Sequence, residues 1–132
     1  MQIPLEEKGG AASKAGQYHW GPSVSWNEYL QCWVMLMGKV EEPKWKGSSI
    51  YISFNLHKDL GESDHAVAWS KPQQLLTKPG RVLWYPSLQP MNTPEDIASK
   101  RTSLRLGKKA RLFVKDSEAN EYSSEYIIDF KK

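Results

Sequence analysis

The sequence predicts an all-β fold of antiparallel sheets carrying one short helix. Two observations lead there. Six Trp and six Tyr are spread through 132 residues, and aromatic side chains suit a pleated, half-buried surface. The apolar residues also fall into short runs, some alternating with period two, separated by polar turn segments.

The length fits one domain able to bury a core. A hydrophobic content of 39% and a charged content of 25% are those of an ordinary globular chain. A net charge of +3 gives little reason to expect a polyanionic partner. Cys32 is the single cysteine, so no intrachain disulfide can form. No apolar run approaches the roughly 18 residues of a membrane span, and the start lacks the basic head and apolar centre of a signal peptide. A cytoplasmic location is the default expectation, replaced by secretion if the chain is part of a larger secreted protein.

Residues 1–17 are expected to form a flexible N-terminal arm, small and polar over residues 8–17. Residues 18–132 are expected to form a single β domain with units at about 18–77 and 82–130. In the first unit, Ser23–Trp26 is a short strand and Asn27–Gln31 a turn. Cys32–Met37 is a continuous apolar run suited to burial on both faces. Lys39–Gly47 reads as a loop. In Ser49–Phe54, Ile50, Ile52 and Phe54 face one way and Tyr51 and Ser53 the other. Val67–Trp69 and Gln73–Leu76 form an outer strand interrupted by Pro72. The second unit opens with a strand over Val82–Leu88. Thr93, Pro94, Glu95 and Asp96 then make a helix start, with Thr as N-cap, Pro at N1 and acids in the first turn. A short helix near 94–100 follows, then strands at Ala110–Val114 and Glu125–Phe130. The motif Trp20-Gly-Pro-Ser23 is echoed by Trp84-Tyr-Pro-Ser87, one at the start of each unit.

Four antiparallel strands joined by short turns make one blade of a β-propeller, so the chain is expected to hold about two blade-like, four-stranded sheets. Trp20-Gly-Pro-Ser-Val-Ser-Trp-Asn-Glu-Tyr-Leu30, the apolar run after it, Ile50-Tyr-Ile-Ser-Phe54, Trp69-Ser-Lys-Pro-Gln73, Trp84-Tyr-Pro-Ser-Leu88, Ala110-Arg-Leu-Phe-Val114 and Tyr126-Ile-Ile-Asp-Phe130 resemble the C-terminal blades of five-bladed glycoside hydrolase-like propellers. The resemblance covers about residues 18–130. It implies a truncated propeller descended from a glycosidase. The family's catalytic carboxylates belong to blades near the N-terminus, so none has a matching position here. Ser25 stands where relatives often have His before Trp-Asn.

Glycoside hydrolysis requires two carboxyl groups about 5–10 Å apart. Glu28 and Asp64 are the weak catalytic candidates, both in polar turns. His19, His57 and His65 lack the spacing of a zinc site, so no metal and no cofactor is expected. Cys32 lies within the most apolar strand and reads as a small buried hydrophobe. The basic segment 100–111 holds six cations, but it matches no nucleic-acid-binding motif and reads as a solvated face. Tyr18, Trp20, Trp26, Trp84 and Tyr85 cluster at strand starts and corners. They read either as core between sheets or as the lining of a sugar site, with Ser23 and Asn27 able to hydrogen-bond hydroxyls.

Two blades alone leave apolar faces and strand edges uncovered. The second unit also shows only three strands. A homo-oligomer is therefore expected, with a trimer as the favoured closure. The leading functional expectation is a small non-catalytic protein with an aromatic-lined, carbohydrate-type site. The alternatives are a glycoside hydrolase whose carboxylates converge only in the oligomer, and a purely structural assembly module.

Overall fold

The structure, a computed structural model, describes residues 17–41, 46–57, 69–117 and 124–132. Among the described residues the fold is all-β with one short helix. The order is β1 (Gln17–Asn27), β2 (Cys32–Glu41), β3 (Lys46–Asn55), β4 (Gln73–Thr77), β5 (Leu83–Pro90), α1 (Pro94–Ala98), β6 (Arg105–Leu106), β7 (Lys109–Asp116) and β8 (Ser124–Asp129). The first sheet has the order β4-β3-β2-β1-β6 and the second β5-β7-β8. Strands β1 to β4 form an antiparallel meander.

Three details depart from the expected layout. The first sheet gains a fifth strand, because β6 pairs in parallel with the end of β1, Trp26 opposite Arg105 and Asn27 opposite Leu106. Two residues inside a basic segment carry no strand pattern. Backbone bonds from Trp26 N–H to the Leu104 carbonyl and from Glu28 N–H to the Leu106 carbonyl, each 2.8 Å, hold them there. The short strand expected over Ser23–Trp26 is the second half of a longer β1, which starts at Gln17 and continues through a register shift between Trp20 and Ser23. Both ends of the loop expected over Lys39–Gly47 are strand, since Lys39 pairs with Ser49 and Glu41 with Lys46. The expected arm, apart from Gln17, lies outside the described residues, as do Val67 and Ala68 of the expected outer strand; Trp69 is not in a strand.

Register shows which side chains face inward. Directly opposed residues share a sheet face. Val34, Leu36 and Val40 on β2 therefore lie on one face with their partners Ser25, Ser23 and Tyr18 on β1. Ile50, Ile52 and Phe54 on β3 share that face. Of these, Val34, Leu36, Ile50, Ile52 and Phe54 join Leu83, Leu88, Leu112, Val114 and Ile128 of the second sheet, with Phe130, in one continuous core. Each sheet thus covers the other's apolar face. The opposite face of the first sheet carries Trp26 against Trp33, their rings edge-on at 5.2 Å. The helix begins as the sequence predicts: Asp96 N–H donates to the Thr93 hydroxyl, and Pro94 stands in the first turn.

Candidate functional site

The two Trp-x-Pro-Ser motifs fold alike. In each, the ladder register shifts between Trp and Ser. In each, the residue after Trp has left-handed backbone, with φ of 64° at Gly21 and 53° at Tyr85. The following proline fixes its own φ and supplies no N–H. The result is a β-bulge, inside β1 in the first copy and near the start of β5 in the second, a device that re-aims neighbouring side chains.

Both bulges open onto one pocket of about 220 Å³, lined by Trp20, Trp84 and Tyr85 with the aliphatic Val40, Val82 and Leu83 and completed by Lys46 and Gly47. Trp20 lies against the backbone of Gly38, where a Cβ would stand 3.7 Å from its ring. Trp84 and Tyr85 meet edge-on at 6.3 Å. Trp20 remains 46% exposed and Tyr85 57%, so their faces are open to a ligand. Apolar walls with a few polar groups at the margin are the usual make-up of a small-molecule site.

Three of the predicted aromatics, Trp20, Trp84 and Tyr85, come together here. Tyr18 shares the inward-facing row of β1 with Trp20, two residues along, and is 41% exposed. Ser23 follows the bulge and is half-buried. Trp26 lies on the opposite face of the sheet and cannot reach this pocket. Asn27 is buried, accepting from Leu30 N–H at 2.8 Å and donating to the Gly107 carbonyl at 3.0 Å, which commits it to the β1–β2 turn. Asp64 lies outside the described residues.

Glu28 lines a different cavity of about 540 Å³, together with Glu95, Asp96, Arg101, Lys108 and Lys109. Arg101 is the hub of this cavity, donating to Glu28 at 3.2 Å and to Asp96 at 2.8 Å. Arg105 adds a second contact to Glu28 at 3.5 Å. Burial pushes the Asp96 carboxyl upward. Hydrogen bonds from Arg101, Thr93 and the Met91 N–H, with the Arg101 charge, outweigh it and hold the group below its ordinary 3.8. Asp96 is therefore a carboxylate at neutral pH. Of the basic segment, Arg101, Arg105 and Lys108 have carboxylate partners, and Arg111 donates to the Pro90 carbonyl. Burial pushes the Cys32 thiol up to about 11, so it stays protonated and is no nucleophile.

A third cavity, about 330 Å³, is polar and is lined by Lys39, Glu41, Lys46, Gly47, Ser48, Ser49, Tyr51 and Gln74. Lys39 stands over the Tyr51 ring at 5.5 Å, and His19 meets the same ring edge-on at 4.9 Å. Burial, and then the charge of Lys39, lower the pKa of His19.

The repeated motif was visible in the sequence as an echo; the convergence of its two copies on one pocket was not. Sequence reasoning missed Val40, Val82, Leu83 and Lys46, which carry no chemical signal of their own. No family model, curated protein or solved structure matches the chain. Among the described residues, no helix is long and apolar enough to cross a membrane.

Proposed function

We propose that this chain is a non-catalytic carbohydrate-binding protein whose site is the pocket between the two Trp-x-Pro-Ser bulges. The observation that carries the reading is the convergence of Trp20, Trp84 and Tyr85, two of them about half exposed, on one pocket. Sugar rings present C–H faces that stack on indole and phenol rings, and their hydroxyls pair with polar groups at the margin. The strained backbone of Tyr85 supports the same reading, because such strain concentrates at ligand sites.

Glycoside hydrolysis is the second reading, favoured by the shared cavity of Glu28, Glu95 and Asp96. Hydrolysis needs one carboxyl group protonated at the working pH. Asp96 is held below the ordinary carboxylate range, and Glu28 is paired with two arginines. Binding without turnover is the better match.

The test is calorimetric titration with a panel of neutral and acidic oligosaccharides, run on the parent chain and on Trp20→Ala, Trp84→Ala and Trp26→Ala. The expected result is a loss of about tenfold or more in affinity for the first two and little change for Trp26→Ala. Failure of every saccharide to bind, or equal losses in all three variants, would overturn the reading. Release of reducing sugar by the parent, abolished in Glu28→Gln, would favour the hydrolase instead.

A further inference from the structure

The aromatic pocket grades from polar to apolar with depth. Tyr85 and Lys46 line it and are both exposed, which puts them at the rim. Val40 and Leu83 line the same pocket yet are buried, so they form its floor, and half-buried Val82 stands beside them. Val82 commits its backbone polar groups elsewhere. Its N–H donates to the Ser117 hydroxyl at 2.9 Å, and its carbonyl accepts from the Ser117 N–H at 3.0 Å. The three aliphatic side chains therefore offer a hydroxyl nothing to bond.

The pocket is also small. Its volume of about 220 Å³ lies below the roughly 300–1,000 Å³ of a drug-sized ligand site, which suits one sugar unit. An ordinary hexose is ringed by hydroxyl and hydroxymethyl groups. One of these pressed on the aliphatic floor loses its water and gains no hydrogen bond. A methyl group in the same place buries apolar area instead.

We propose that the pocket selects a methyl-bearing sugar, either an acetamido sugar or a 6-deoxy sugar, with its ring on the aromatic side chains and its methyl group on the floor made by Val40, Val82 and Leu83. This rests on the carbohydrate-binding reading and narrows it to a ligand class. The floor discriminates and the aromatic rings supply affinity, so mutation separates the two. A difference of one methylene in an apolar pocket is worth about tenfold or more.

The probes are matched pairs of sugars that differ in one substituent: N-acetyl-D-glucosamine against D-glucose, N-acetyl-D-galactosamine against D-galactose, and L-fucose against L-galactose. Each is titrated into the parent chain, Val82→Thr and Trp20→Ala, and saturation-transfer NMR reads which protons of the bound sugar meet the protein. Val82→Thr replaces one methyl of the wall by a hydroxyl, and circular dichroism checks the fold of both variants. We expect the methyl-bearing member of at least one pair to bind about tenfold more tightly than its partner, with saturation strongest on its methyl protons. That preference should shrink severalfold in Val82→Thr, whereas Trp20→Ala should weaken both members alike. A preference within the acetamido pairs or within the fucose pair identifies which methyl group is taken. Equal binding within every pair, or a preference that Val82→Thr leaves unchanged, overturns this proposal and leaves carbohydrate binding standing. No binding by any of these sugars overturns it as well, and alongside failure of the wider panel it overturns the carbohydrate reading too.

Discussion

Tyr85 shows most plainly what a single residue contributes. A side chain on left-handed backbone costs of order 1 kcal/mol or more, and glycine avoids that cost. The equivalent position in the other bulge is Gly21. Tyr85→Gly should therefore leave the fold as stable as the parent or raise its stability by about 1 kcal/mol, measured by urea unfolding. The same change should weaken saccharide binding severalfold, because the ring leaves the pocket. A parallel fall in stability and affinity would mean that Tyr85 is structural. At this scale the sequence was partly legible. Aromatic residues before Pro-Ser marked both bulges, yet the same aromatic signature flagged Trp26, which packs against Trp33 on the other face. Residue type alone does not tell the two faces of a strand apart. Asn27 misled for a related reason, since its amide has hydrogen-bonding capacity but spends it on Leu30 and Gly107.

Among the elements, α1 was the most legible, since N-cap, proline and acids are local signals that need no partner. Its Asp96 nevertheless reaches beyond the helix, accepting from the Met91 N–H and pairing with Arg101. The consequence for pH follows from the direction of its shift. The folded pKa lies below the ordinary 3.8, so the unfolded chain binds the proton more readily. The stabilisation is complete above about pH 4 and is lost as pH falls through the folded value. Asp96→Asn should lower stability at pH 7 by roughly 1–3 kcal/mol and flatten the acid arm of a stability-against-pH curve measured by thermal unfolding. An acid arm of unchanged slope would refute this account. Strand β6 stands at the opposite extreme of legibility. Its two residues owe their conformation to the end of β1, a partner far away in sequence, so no window of neighbouring residues could have revealed it.

For the molecule as a whole, the sequence pointed to apolar faces needing cover, and the two sheets cover one another in one core. The reason for copies to associate therefore shifts from faces to edges. β8 ends the second sheet, and its Ile127 is 63% exposed, an arrangement open to strand pairing with a second chain. Under the proposal of a homo-oligomer, light scattering on a sizing column should give a multiple of the single-chain mass, and Ile127→Lys should reduce it to one. A single-chain mass for the parent would end that proposal. The joining of β6 to β1 also bears on when the protein can form at all. The amide of Asn27 finds its acceptor only at Gly107, and Trp26 and Glu28 find theirs at Leu104 and Leu106. During synthesis the first three strands emerge long before those acceptors, with Leu36, Ile50 and Ile52 still lacking the second sheet. Contacts spanning so much of the chain make folding slow, and until the second sheet has been made the early meander keeps its apolar face open, an exposure that favours aggregation.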